Sequence, residues 1–176
     1  PLINVLKYDK NGSVRLYAAR ALGELGDSQA TLPLIESLRE DRNVDVRVRA
    51  ARALGRLGGE EVVEPLVTAL NDENPQVCIT ATDALIEIGD IATDALIDSL
   101  HNEKINVRCD ITRALGEIGN KKAVPYIIEM LKDEWVNVRI YAVTSLGKLS
   151  DKSSVPALIE VMQNKSENDL VRAGAA

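Results

Sequence analysis

The sequence predicts an all-α solenoid, a stack of short helix pairs, and three observations carry that prediction. One pattern recurs along the chain. Val46-Arg47…Leu54-Gly55…Gly58 returns as Val14-Arg15…Leu22-Gly23…Gly26, Val77-Cys78…Leu85…Gly89, Val107-Arg108…Leu115-Gly116…Gly119 and Val138-Arg139…Leu146-Gly147…Ser150. The period runs from 30 to 32 residues, the length of a stacked structural repeat. Within each copy, apolar residues fall twice at helical spacing. Aromatic residues are scarce, with no Phe, one Trp and four Tyr; small and aliphatic side chains suit thin layers between closely packed helices.

Each repeat opens with a shorter helix, marked by Pro1-Leu-Ile, Pro33-Leu-Ile, Pro65-Leu-Val, Pro125-Tyr-Ile and Pro156-Ala-Leu; the fourth copy has Ala95-Leu-Ile. Proline fits a helix's first turn, where its missing N–H has no partner to lose. Leu34, Ile35 and Leu38 then form one apolar stripe, repeated by Leu66, Val67 and Leu70 and by Leu96, Ile97 and Leu100.

A polar turn leads to the longer second helix. In the second repeat Val46, Ala50, Leu54 and Leu57 share one face, with Ala51 beside them. Gly55 reads as a close-packing point and Gly58 as a left-handed C-cap. One such pair buries too little to offset the entropy of ordering it, so neighbouring repeats fold as an array. The expected repeats are approximately 1–28, 29–59, 60–90, 91–120, 121–151 and a partial 152–176: five full copies and part of a sixth in a single array. The sequence starts inside a first helix and stops inside a second one, which reads as part of a longer solenoid.

Net charge is −6, unevenly spread. Residues 1–58 hold 10 Lys/Arg against 7 Asp/Glu, residues 59–120 hold 3 against 13, and residues 121–176 hold 8 against 7. An acidic middle block interrupts the continuous basic track that nucleic acid requires. No apolar run reaches the roughly 18–20 residues of a membrane span. Two cysteines without framework spacing point to a reducing, cytoplasmic setting.

A proline, an acidic residue eight positions later and then Val-Arg stand as Pro1/Asp9/Val14-Arg15, Pro33/Asp41/Val46-Arg47 and Pro125/Asp133/Val138-Arg139. This pattern resembles the HEAT repeat. The short period and the Val-Arg…Ala-Leu-Gly ending resemble the subclass named after phycobilisome lyase subunits. The resemblance covers essentially the whole chain and implies antiparallel helix pairs stacked in a right-handed, armadillo-like superhelix.

The arginines of this pattern have a physical rationale. Arg47 lies about 20° from Leu54 on a helical wheel, two turns back, so it faces the core side. There it needs an acceptor. Asp41, together with an acid of a neighbouring repeat, can supply a bidentate bond. Asp9, Arg15, Asp41, Arg47, Arg108, Asp133 and Arg139 are therefore expected to form a structural ladder. Cys78 replaces the arginine in the third repeat, which would leave Asp72 and Glu73 without that partner and make a softer joint.

Few residues fit catalysis or metal binding. The chain has a single histidine, His101, and cysteines 31 residues apart, without the clustering of a zinc site. Some HEAT-like hydroxylases hold a di-iron centre with repeated His-Glu pairs, whereas His101 is followed by Asn102. The Gly-x-x-Gly elements end helices, whereas a phosphate loop must start one. No catalytic, cofactor or metal site is expected, and no cofactor.

The outward side of the second helices lines the concave face in solenoids of this family. Three columns fall there: Leu16, Val48, Ile79, Cys109 and Ile140; Tyr17, Arg49, Thr80, Asp110 and Tyr141; and Arg20, Arg52, Asp83, Arg113 and Thr144. Core positions barely change between copies while these vary, as in a groove whose chemistry is set locally. Trp135 is a rim residue or a turn-packing one. The leading expectation is a non-enzymatic scaffold binding a protein or peptide in this groove, with Tyr17, Tyr141, Arg49 and Arg52 as anchors. The alternative, from the resemblance alone, is a subunit of a phycobilin lyase or chromophore-handling complex. Nucleic-acid binding through Arg39, Arg42, Arg47, Arg49, Arg52 and Arg56 ranks below both, because of the acidic block.

Overall fold

A computed structural model describes residues 1–176, folded into two compact units, Pro1–Ala92 and Thr93–Ala176. The first contains α1 (Leu2–Tyr8), α2 (Gly12–Leu25), α3 (Thr31–Glu40), α4 (Val44–Leu57), α5 (Val63–Ala69) and α6 (Pro75–Ile88). The second contains α7 (Thr93–Asp98), α8 (Ile105–Ile118), α9 (Val124–Met130), α10 (Val136–Leu149), α11 (Val155–Gln163) and α12 (Asp169–Gly174). Each unit holds three helix pairs. In the first, α4 packs between α2 and α6; in the second, α10 packs between α8 and α12.

The short helices begin one or two residues before the prolines, so Pro33, Pro65, Pro125 and Pro156 all sit in a first turn. A single 3-10 turn leads into each of α3, α5, α7, α9 and α11. Asparagines cap the long helices of the first unit: the Asn11, Asn43 and Asn74 side chains accept the backbone N–H of Ser13, Asp45 and Gln76, satisfying donors at the helix start.

The core follows the apolar stripes. Leu34, Leu38, Leu66 and Leu70 are buried beneath α3 and α5, and Val46, Ala50 and Leu54 are fully buried on α4. Each such leucine contributes on the order of 2 kcal/mol. In α11 the corresponding stripe, Ala157, Leu158 and Val161, is only half-buried, and Val155, Ile159 and Met162 beside it are exposed.

Glycines set how closely the long helices approach. A Cβ on Gly23 would lie 2.6 Å from the Ala53 Cβ, and one on Gly55 would lie 2.7 Å from the Ala84 Cβ. In the second unit a Cβ on Gly116 would overlap Ser145. Ser145 instead donates its hydroxyl to the Thr112 carbonyl at 2.8 Å. Gly55 is thus a contact between adjacent helices. Gly58 ends α4 at positive φ, 65°, but with ψ −163° it lies outside the left-handed helical region expected for it.

The arginine ladder runs between repeats. Arg15 donates through Nε and Nη2 to both Asp41 carboxylate oxygens, each at 2.7 Å, while its Nη1 reaches the Asp9 carbonyl at 2.9 Å. Arg47 binds both Asp72 oxygens at 2.9 Å and the Asp41 carbonyl at 3.0 Å. In the second unit Arg108 pairs with Asp133, and Arg139 pairs with Glu167. Each arginine therefore takes a carbonyl of its own repeat and a carboxylate of the next.

This corrects two expectations. The Asp41 carboxylate serves Arg15 rather than Arg47. Asp72 and Glu73 do have a guanidinium, since Arg47 lies 2.9 Å from Asp72 and 3.6 Å from Glu73. Cys78 replaces only part of an arginine: its Sγ lies 3.3 Å from the Asp72 carbonyl, the bond that Nη1 makes elsewhere.

The ladder aspartates also shape the turns. One oxygen of Asp41, Asp72 and Asp133 accepts the backbone N–H two residues on, each at 2.8 Å. Asn102 makes the same bond to Lys104, at 2.9 Å, and so keeps the turn without carrying a charge.

Candidate functional site

The long helices position the predicted groove residues. On α2 and α4, positions three, four and seven apart share a face, which aligns Tyr17, Arg20 and Glu24 on one helix and Arg49, Arg52 and Arg56 on the other. Where Gly23 meets Ala53 the helices approach closely, and a cleft of about 280 Å³ opens above the contact. Arg20, Glu24, Arg49, Arg52, Ala53 and Arg56 line it.

Its electrostatics are one-sided. Arg20 and Glu24 pair at 2.7 Å. That hydrogen bond, and then the charges of Arg20, Arg56 and Arg49, hold the Glu24 carboxyl below the ordinary glutamate range. No carboxylate bonds Arg49, Arg52 or Arg56. Tyr17, 65% exposed, stands three residues before Arg20.

Other predicted residues are distributed differently. Leu16, Val48 and Ile140 are half-buried, Ile79 is exposed and Cys109 is buried, so the first column is not an open apolar ridge. Thr80 is buried and donates to the Gln76 carbonyl; it and Cys109 offer no surface to a partner. Asp83 is exposed on α6. In the second unit Asp110 and Arg113 are half-buried, while Tyr141 and Thr144 are exposed. Trp135 occupies the N-cap position of α10 without capping it and is 47% exposed. Burial pushes the Cys109 thiol up to about 11.

The arginine-rich second repeat does not present one basic surface. Arg47 is buried in the ladder, whereas Arg49, Arg52 and Arg56 face the cleft. Arg42 lines a separate hollow of about 460 Å³, beside Lys7, Tyr8 and Glu36. The charges there neutralise one another, as Lys7 pairs with Glu36 and Arg15 with Asp41. Arg56 is a site residue that the column alignment missed, although its spacing from Arg49 and Arg52 already put it on their face. No group of three His, Cys, Asp or Glu side chains converges to hold a metal ion. No helix is long and apolar enough to cross a membrane.

Stacked pairs of antiparallel helices with the long helices side by side define an α-solenoid. The chain belongs to the HEAT-repeat family, whose profile matches residues 1–86, 31–105 and 93–176. Its structure is similar to one from the complex of CpcE and CpcF of phycocyanin lyase from Nostoc sp. PCC7120, with 26% identity and a TM-score of 0.61, covering 98% of this chain and 73% of that one. That likeness agrees with the lyase-type repeat subclass. A chain from a structure of microtubule plus-end tracking by XMAP215, CLIP-170 and EB1 shares the fold at 17% identity and TM-score 0.73, over 99% of this chain and 86% of that one. So does a designed armadillo repeat protein in complex with the peptide (KR)4, at 19% identity and TM-score 0.54, over 99% and 95%. No curated protein sequence matches this chain.

Proposed function

We propose that the chain is a non-enzymatic interaction scaffold, working in the cytoplasm, that binds a protein or peptide on the outward faces of its long helices. The observation that supports this most is the contrast on α2 and α4. Their inward faces are committed to the Gly23–Ala53 contact and the ladder, while Tyr17, Arg20 and Arg52 stand exposed on the outward side. Tyrosine gives a large, rigid contact and arginine several hydrogen-bond donors on a planar group, and both are enriched at binding hot spots. Cys78 and Cys109 are thiols outside any disulfide, which fits a reducing compartment.

The test is a pull-down from source-organism lysate with the parent chain and a Tyr17→Ala/Tyr141→Ala variant as baits. A protein captured by the parent and lost by a variant of unchanged melting temperature supports the reading. Identical captures by both baits, or none, sink it.

A second reading, a subunit of a chromophore-handling complex, is favoured by the likeness to the phycocyanin lyase complex across 98% of the chain. A visible absorption band that co-purifies with the protein after bilin is added would support it.

A further inference from the structure

We infer that the cleft between α2 and α4 takes an acidic peptide segment, whose carboxylates dock on Arg49, Arg52 and Arg56. The inference rests on the scaffold reading and gives the partner a chemistry.

Charge is the first argument. Four guanidinium groups and one carboxylate line the cleft, and the carboxylate is already engaged by Arg20. Three arginines are left with donors for an outside acceptor, and each can grip a carboxylate with two parallel bonds. Such a concentration of positive charge repels itself unless solvent ions or a ligand answer it, and it stands in a chain whose net charge is −6.

Shape is the second argument. Ala53, which meets Gly23 between the two helices, lines the cleft along with the charged side chains. The cleft is bounded by helices whose axes at such contacts lie about 8–10 Å apart, a span that about three residues of extended chain cover. Tyr17 offers a flat apolar surface one turn from Arg20, suited to an aliphatic residue beside the acidic ones.

The extent of the charge separates this ligand from nucleic acid. The next long helix of the same unit, α6, contains no Lys or Arg and carries Asp83 and Glu87. A phosphate backbone running on from α4 would meet those carboxylates, whereas a short peptide ends before them.

The experiment measures fluorescence anisotropy of a labelled glutamate–glycine peptide titrated with the full chain. A glutamine–glycine peptide and a labelled DNA duplex are parallel probes. The expected result is binding of the glutamate peptide alone, weakening as salt rises. An Arg49→Ala/Arg52→Ala/Arg56→Ala variant should lose about tenfold or more in affinity. An Arg39→Ala/Arg42→Ala variant, which also removes cations but none from the cleft, should bind as the parent does. Melting curves check that each variant is folded.

Equal weakening in both variants would overturn the proposal in favour of general charge attraction. Tighter binding of the duplex, or no binding of the glutamate peptide, would overturn it too. If the peptide fails while the tyrosine variant still loses a captured protein, the scaffold reading stands and only the acidic chemistry falls.

Discussion

Arg47 holds Asp72, twenty-five residues further along the chain, through two parallel hydrogen bonds of 2.9 Å. The Arg47 and Asp72 side chains are 8% and 12% exposed, so the pair is a buried joint between repeats rather than surface decoration.

Removing Arg47 leaves the buried Asp72 carboxylate without its guanidinium. Arg47→Met should cost about 3–5 kcal/mol. Adding Asp72→Asn should recover a substantial part, because the asparagine still accepts the turn N–H, as Asn102 does naturally. Urea denaturation of the two variants measures the difference. Equal losses would show that the destabilisation does not come from the abandoned carboxylate.

The helix contacts predict opposite effects for two glycine substitutions. Gly55→Ala gains helix propensity but drives a methyl group to within 2.7 Å of the Ala84 Cβ and 2.9 Å of its Cα, and should destabilise by about 1–3 kcal/mol. At Gly147 nothing lies within 4 Å of an added Cβ. Gly147→Ala should stabilise by about 0.5–1 kcal/mol. Thermal melts of both variants check the pair of signs.

Acid should loosen the ladder. Burial alone would raise the Asp41 carboxyl, but hydrogen bonds from Arg15 and the Asn43 N–H, with the charges of Arg15 and Arg47, hold it below the ordinary range. The Arg139 hydrogen bond does the same for Glu167. With folded values below unfolded ones, their stabilisation is complete above about pH 4–5 and disappears as pH falls through the folded values. Urea midpoints measured from pH 7 downward should stay level and then fall, and Asp41→Asn should flatten the fall.

The Cys109 thiol, raised to about 11 by burial and then by the nearby Asp110 and Asp133 carboxylates, is not a nucleophile near neutral pH. Iodoacetamide should leave it unmodified in the folded protein and alkylate it in urea. Peptide mass spectrometry follows both, and rapid labelling of the native protein would contradict its placement.

The helix pairs, their starts and the core stripes were legible because most copies repeat them. The direction of the ladder was not, for a physical reason. Most repeats carry an acid at the same position, so periodicity alone makes the arginine of one repeat equally close in pattern to its own acid and to the next. The substitutions hold the missing signal: Cys78 removes an arginine, and the acid absent from the ladder column is in the following repeat, at Asn102, while Asp72 in the cysteine's own repeat is kept. The columns of the groove had a similar limit. A helical wheel gives the direction of Leu16 or Cys109 but not how far a neighbouring helix overlaps it, and that overlap depends on glycine contacts between repeats.

Because each arginine reaches forward to the following carboxylate and back only to its own backbone, the two sides of a repeat are chemically unlike, one presenting a donor and the other an acceptor. Repeats joined this way have a reading direction. A copy duplicated or deleted in register would still meet a matching neighbour on both sides, whereas a repeat turned end for end would set guanidinium against guanidinium. The same bonds that stabilise one joint thus make the array's length easy to change and its polarity hard to reverse.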